Sequence, residues 1–274
     1  MTHMPFMISA FCSALVLPTY LAAETPERVL EALQIQDILE VMRDEGFLYS
    51  KDLQSELFPG RGGVAWAADV EEIYDIDRMM ESFSTTFSTQ MPSQYLVESE
   101  DFFTSATGKK ITSLEISARI AQMDEAIEEA SKETLKEMIN AEDPRLDLLK
   151  EFSDVNQLVE ANVVGSLNAN YAFYTGLIDA GAFGFEVTED QILADVWQQE
   201  PEIRSDTEEW LFSYLALAYQ PLEDADVQAY IDFSQTEAGT SLNRALFDSF
   251  DVMLVEISRA LGLVSGKYMS GQDI

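Results

Sequence analysis

One residue pattern occurs twice in this chain, and it constrains the fold more than any other feature. The two copies are Phe102-x-x-Ser105-x-x-Gly108-x-x-Ile111 and Phe233-x-x-Thr236-x-x-Gly239-x-x-Leu242. They lie 239 − 108 = 131 residues apart, and the same offset places Trp66 on Trp197. This repetition predicts one helical unit that is present in two related, duplicated copies.

The residue types of the pattern predict a structural role. The aromatic residue closes one helix onto the core, and the Ser or Thr three residues later caps the next helix. The Gly permits a bend or a close helix contact that a Cβ would block. The residues of this structural motif are Phe102, Ser105, Gly108, Phe233, Thr236 and Gly239. No catalytic, cofactor-binding or metal-binding residue is predicted anywhere in the chain.

Helical periodicity dominates the rest of the sequence. Apolar residues recur at i, i+4, i+7 and i+11, the spacing of one helix face, in two long segments. They are Ile116, Ile120, Met123 and Ile127 in the first, and Leu246, Phe250, Met253 and Ile257 in the second. Alternating strand patterns are scarce. We therefore predict an all-α fold, a helical bundle of two units at 24–150 and 151–264, with a loose tail at 265–274.

Start and stop signals predict several boundaries. Thr25 before Pro26 predicts a helix start. The glycine-rich segment 59–63 is the strongest predicted break. Thr188-x-x-Gln191 and Ser205-x-x-Glu208 are predicted capping boxes that open two helices. Between 109 and 140 we predict one uninterrupted helix.

The first 23 residues have the composition of a secretory leader. They contain no Asp, Glu, Lys or Arg, their centre is apolar from Phe6 to Leu17, and they end in Ala22-Ala23. We predict a signal peptide at 1–23 that is cut near Ala23, and hence a periplasmic or secreted protein. The alternative is an uncleaved anchor, although the apolar stretch is short for a bilayer span. No transmembrane span is predicted in the mature chain.

Removal of this leader would restrict the available chemistry. The single histidine, His3, and the single cysteine, Cys12, both lie in it. A mature chain without them has no disulfide and no thiolate or imidazole metal ligand. Ser-His-Asp and Cys-His nucleophilic catalysis are excluded for the same reason.

The charge balance limits the class of partner. Fifty acidic residues face sixteen basic ones, and the net charge is −34. Such a surface repels phosphate backbones and anionic membranes, so no nucleic-acid partner is predicted. It is compatible with a basic partner, or simply with an acidic, solvated surface.

The second copy of the pattern also carries a family resemblance. Residues 230–250 read YIDFSQTEAGTSLNRALFDSF, an aromatic residue, then Ser or Thr, then Gly, at the opening of a long helix. This resembles a bacterial family of secreted helical domains of unknown function, family 2059. The resemblance is best over about 205–263 and weaker over about 66–125. It implies an exported, all-helical protein and no assigned activity, so no functional residue is transferred.

Three functions remain as hypotheses. The leading one is a non-enzymatic exported protein that binds another envelope protein. The second is a carrier for a lipid or other apolar ligand, and the third is an envelope hydrolase that uses paired carboxylates. Two weaker features are an anion-binding loop at Gly60-Arg61-Gly62-Gly63 and a sugar platform of tryptophans. The tryptophans are Trp66, Trp197 and Trp210.

Overall fold

The computed structural model describes residues 25–183 and 187–271, and these contain helices and no strand. The α-helices are α1 (Pro26–Ala32), α2 (Ile35–Leu57), α3 (Gly63–Ile73), α4 (Ile76–Gln90), α5 (Leu96–Thr104), α6 (Ala106–Gln122), α7 (Glu125–Asn140), α8 (Pro144–Asn156), α9 (Leu158–Asp179), α10 (Glu189–Gln198), α11 (Glu200–Tyr219), α12 (Asp224–Ser234) and α13 (Glu237–Met269). The all-α prediction is confirmed. The predicted leader, 1–23, lies outside the described residues.

Two series of helices, α1–α6 and α8–α13, resemble each other in their neighbours. Helix α1 contacts α2, α4 and α5, and α8 contacts α9, α11 and α12. Both first helices open with a proline, and both second helices follow a glutamine in the left-handed region, Gln34 at φ 54° and Gln157 at φ 53°. Arg28 pairs with Glu100 on α5, and Arg145 pairs with Asp224 on α12. Duplication of one unit agrees with these parallels and stays a prediction.

The two series share their cores. The largest hydrophobic cluster joins side chains of α1–α5, such as Phe83, to side chains of α12 and α13, such as Met253. A second cluster joins Ile111 of α6 to Phe152 and Tyr219 of the other series. The predicted boundary at 150 falls inside α8. The chain is therefore not divided there into two separately packed units.

The predicted loose tail is wrong for residues 265–269. Helix α13 continues to Met269, and Ser265 and Tyr268 are buried. The Tyr268 ring stacks on Phe58, with centroids 5.3 Å apart. Polar residues at the end of the chain suggested solvent exposure, but Gly262 and Gly266 give this helix a smooth face that packs closely on α9. Residues 272–274 lie outside the described part of the chain.

The predicted single helix over 109–140 is also wrong. Helix α6 ends at Gln122, and Asp124 caps α7 by accepting a hydrogen bond from the Ala126 amide. Two residues of the predicted apolar face are exposed, Ile120 at 48 % and Ile127 at 39 %. The Thr188 capping box is confirmed, whereas Ser205 lies inside α11, which begins before it at Glu200.

Candidate functional sites

The repeated motif forms two equivalent helix corners. Ser105 Oγ accepts a hydrogen bond from the Gly108 amide at 3.0 Å, and Thr236 Oγ1 accepts one from the Gly239 amide at 3.0 Å. A Cβ on either glycine would overlap the backbone of the preceding helix, at Phe102 or at Phe233. These residues cap and pack the α5–α6 and α12–α13 corners.

The structure brings the two corners together. The Phe102 and Phe233 rings stack with centroids 4.2 Å apart and an angle of 8° between their planes. Tyr230 stacks on the other side of this aromatic group, 5.5 Å from Phe102 and 4.8 Å from Phe152. The packed rings of these two corners join the two series.

A half-buried carboxyl beside this aromatic group is a stronger functional candidate. Glu115 on α6 accepts a hydrogen bond from the Tyr219 hydroxyl at 2.5 Å, and Tyr214 donates to the Glu115 main-chain oxygen at 3.1 Å. Burial raises the pKa of the Glu115 carboxyl to about 7, and the hydrogen bond from Tyr219 opposes this shift. The carboxyl therefore titrates close to neutral pH.

An ion pair lies one helical turn further along α6. Arg119 donates from Nε and Nη2 to the two carboxylate oxygens of Glu45 on α2, both at 2.8 Å. This two-point geometry fixes the guanidinium plane. We call Glu45, Glu115, Arg119, Tyr214 and Tyr219 the polar cluster.

The other series is apolar at three of the corresponding positions. The offset of 131 takes Glu115 to Leu246 (115 + 131) and Arg119 to Phe250 (119 + 131), and the reverse offset takes Tyr214 to Phe83. Phe83 and Phe250 pack edge to face, with centroids 4.7 Å apart. Helices of this architecture can therefore pack without polar groups here. The sequence signal for the polar cluster is that charged residues of one copy align with apolar residues of the other.

The raised pKa of Glu115 predicts a pH-dependent stability. The folded state binds the proton more tightly than the unfolded chain, so this stabilisation is complete below about pH 4.5 and is lost as pH rises through about 7. At about 1.4 kcal/mol per pKa unit, and allowing for water at a half-buried group, we expect a loss of about 2 kcal/mol. Urea unfolding of the wild type and of Glu115→Gln across this range measures it. Curves that stay parallel from pH 4 to 8 would contradict the prediction, since all other carboxyls are common to both proteins.

An exposed face of α10 combines apolar and acidic side chains. Ile192 and Val196 are buried against α9, which leaves Leu193 57 % and Trp197 67 % exposed. Between 187 and 203 the chain has five acidic residues and no basic one. We define the α10 surface by Glu189, Asp190, Leu193, Asp195 and Trp197.

Two features expected from the sequence are placed differently. Arg61 donates to the Tyr268 carbonyl oxygen at 3.1 Å, so the glycine-rich loop ties down the end of α13 rather than presenting a free guanidinium to an anion. Trp66 is buried, Trp197 is exposed, and Trp210 stacks on Tyr214 at 5.5 Å. The three tryptophans lie in three different environments and form no common platform.

Within residues 25–183 and 187–271, no three side chains of His, Cys, Asp or Glu are grouped as metal ligands. No helix in the described part of the chain combines the length and apolarity needed to span a membrane.

The chain matches no known protein family, no curated protein and no solved structure. The resemblance to family 2059 therefore stays a prediction.

Proposed function

We propose that this chain is an exported bacterial protein, periplasmic or secreted, that acts without catalysis by binding another protein of the cell envelope. Export rests on the leader composition of residues 1–23. Binding rests on the α10 surface. The largest side chain of this surface, Trp197, is 67 % exposed, whereas Trp66 is buried in the core.

The chemistry of the α10 surface supports a protein partner with basic side chains. Tryptophan is enriched among the residues that dominate binding energy at protein interfaces. The surrounding carboxylates Glu189, Asp190 and Asp195 attract Lys and Arg and speed association. An Arg side chain could also stack on the exposed indole face. The partner would therefore present an apolar pocket for the indole within a basic rim.

The carboxylate-hydrolase hypothesis has less support. The described residues offer one carboxyl with a raised pKa, Glu115. Its hydrogen-bond partner is the Tyr219 phenol, not a second acid. A retaining or inverting mechanism needs two carboxyls that flank one bond. We therefore favour binding over catalysis.

Photo-crosslinking in the producing cell tests the proposal. A photoreactive amino acid replaces Trp197, and a matched control replaces Val64 on α3, which is 87 % exposed. We expect one envelope protein to be captured at 197 and not at 64. Equal labelling from both positions would show that α10 has no particular partner.

The captured protein is then purified and titrated against the full chain and two variants. We expect Trp197→Ala to weaken binding about a hundredfold, the effect of a central interface residue. Val64→Ala is the control at another exposed apolar residue and should leave the affinity unchanged. The proposal fails if both variants bind as the wild type does, or if raising the salt concentration does not weaken the complex.

A further inference from the structure

A cavity of about 310 Å³ lies where the two series of helices meet. It is bounded by α2 and α6 of the first series and by α9, α11 and α13 of the second. Its apolar walls are Met42, Trp210, Phe247, Phe250 and Leu254. We call this space the inter-series cavity, and it shares no residue with the α10 surface.

The cavity exists because α9 presents small side chains to it. Ala161, Gly165 and Ala169 recur every fourth residue along one face. A Cβ built on Gly165 would meet only Asp251 Oδ1, at 3.9 Å, so the space beside this glycine is open. The left-handed glutamines Gln34 and Gln157 directly precede α2 and α9 and lie 157 − 34 = 123 residues apart. The same spacing aligns Gly165 on α9 with residue 42 on α2, which is a methionine. One series therefore fills this position with a side chain and the other leaves it free.

The cavity wall contains one cation that is ion-paired and one carboxylate that is not. The cation Arg119 already donates two hydrogen bonds to Glu45. The carboxylate of Asp251 accepts one hydrogen bond from Asn168 at 2.9 Å and forms no ion pair with any described residue. The cavity therefore holds one negative charge without a counter-charge, beside aromatic rings and within a protein of net charge −34.

We propose that the inter-series cavity binds a small apolar molecule that carries one amine. The ammonium group would lie at Asp251, which has room to accept further hydrogen bonds from it. Trp210 and Phe250 line the cavity, and aromatic rings attract a cation as well as apolar carbon. The apolar body would contact Phe247 and Leu254. A molecule with a carboxylate head would be repelled by Asp251 and by the field of the whole protein.

Three probes of equal chain length test the head group. Octylamine, octanol and octanoate are titrated into the full chain by calorimetry, each below the concentration at which it forms micelles or separates from water. We expect one amine per chain, bound about tenfold more tightly than the alcohol, with the carboxylate weakest. Equal affinity of all three probes would overturn the proposal.

Two variants locate the site. Gly165→Leu fills the cavity and changes no charge, so it should abolish saturable amine binding while adsorption to the acidic surface is unaffected. Asp251→Asn should reduce amine affinity to that of octanol and leave octanol binding unchanged. If Gly165→Leu does not fold, Gly165→Ala removes part of the volume and should weaken the amine severalfold. Unchanged amine binding in the folded variants would place the amine elsewhere on the protein and refute the proposal.

The control for independence is Trp197→Ala. Because this residue lies on the α10 surface, its removal should leave amine binding intact. Trp197→Ala should lose protein binding and keep amine binding, whereas Gly165→Leu should lose amine binding and keep protein binding. These two variants therefore test the cavity and the proposed function separately. Loss of amine binding in Trp197→Ala would contradict the assignment to the inter-series cavity.

Discussion

Replacing Trp66 with alanine should lower the free energy of unfolding by about 3–5 kcal/mol. The indole is 2 % exposed and packs edge to face against Phe58 at 5.0 Å and Tyr268 at 5.8 Å. Its Nε1 donates to the Ser50 carbonyl oxygen at 3.1 Å. Truncation removes a large apolar surface and the hydrogen bond from Nε1. The lost contacts include Tyr268, so the end of α13 should loosen.

The matched change is Trp197→Ala, which deletes the same side chain from an exposed position. It should alter stability by less than about 0.5 kcal/mol. Chemical unfolding at fixed pH, followed by circular dichroism, measures both variants. The two tryptophans occupy equivalent places in the sequence repeat, so similar losses would show that Trp197 is as well packed as Trp66. Such a result would also remove the structural basis of the α10 surface.

This pair shows how far the repeat could be used for prediction. The hydroxyl caps at the two Phe-Ser/Thr-Gly corners were predictable, because a hydroxyl cap and a glycine contact are local features that the sequence specifies. The offset of 131 gave no information on burial at Trp66 and Trp197. Burial depends on which helix covers a face, and α3 is covered by α13 whereas α10 lies on α9 at the edge. The apolar spacing within α10 does not predict that Trp197 is left uncovered.

The candidate sites were harder to predict than the fold. With fifty acidic residues, Glu115 and Asp251 were indistinguishable from surface carboxylates by type. What singles out Glu115 is its contact with Tyr219, more than one hundred residues away in sequence. The comparison of Arg119 with Phe250 across the repeat was the available signal. The inter-series cavity, by contrast, depends on small side chains of α9 that face four other helices, and no local sequence pattern contains that arrangement.

Helix ends were predictable where a side chain caps them. The Thr188 box and the break at 59–63 were found because their residues determine the local backbone. The interruption at Asp124 was missed because the apolar spacing on either side suggested one continuous face. The end of α13 was missed for the opposite reason, since Gly262 and Gly266 weaken a helix in isolation and strengthen it only against α9.

Those glycines lead to the second large effect, in which Gly262→Ala should destabilise the protein by about 3 kcal/mol or more. Helices α9 and α13 touch backbone to backbone at two reciprocal points. A Cβ on Gly262 would overlap the Phe173 carbonyl, and a Cβ on Gly176 would overlap the Arg259 carbonyl. Backbone atoms cannot rotate away as a side-chain end can, so the helices must separate. Separation costs packing along their whole contact, which is the most extensive between any two helices described.

Gly165→Ala on α9 is the control, because it adds the same methyl group at a position where a Cβ has space. It should raise the free energy of unfolding by about 0.5–1 kcal/mol, because alanine restricts the unfolded chain and meets no close neighbour. Thermal and urea unfolding of both variants should therefore shift in opposite directions. If Gly262→Ala were as stable as Gly165→Ala, the two helices could not lie in backbone contact. The floor of the inter-series cavity, which α9 and α13 form together, would then be wider than described.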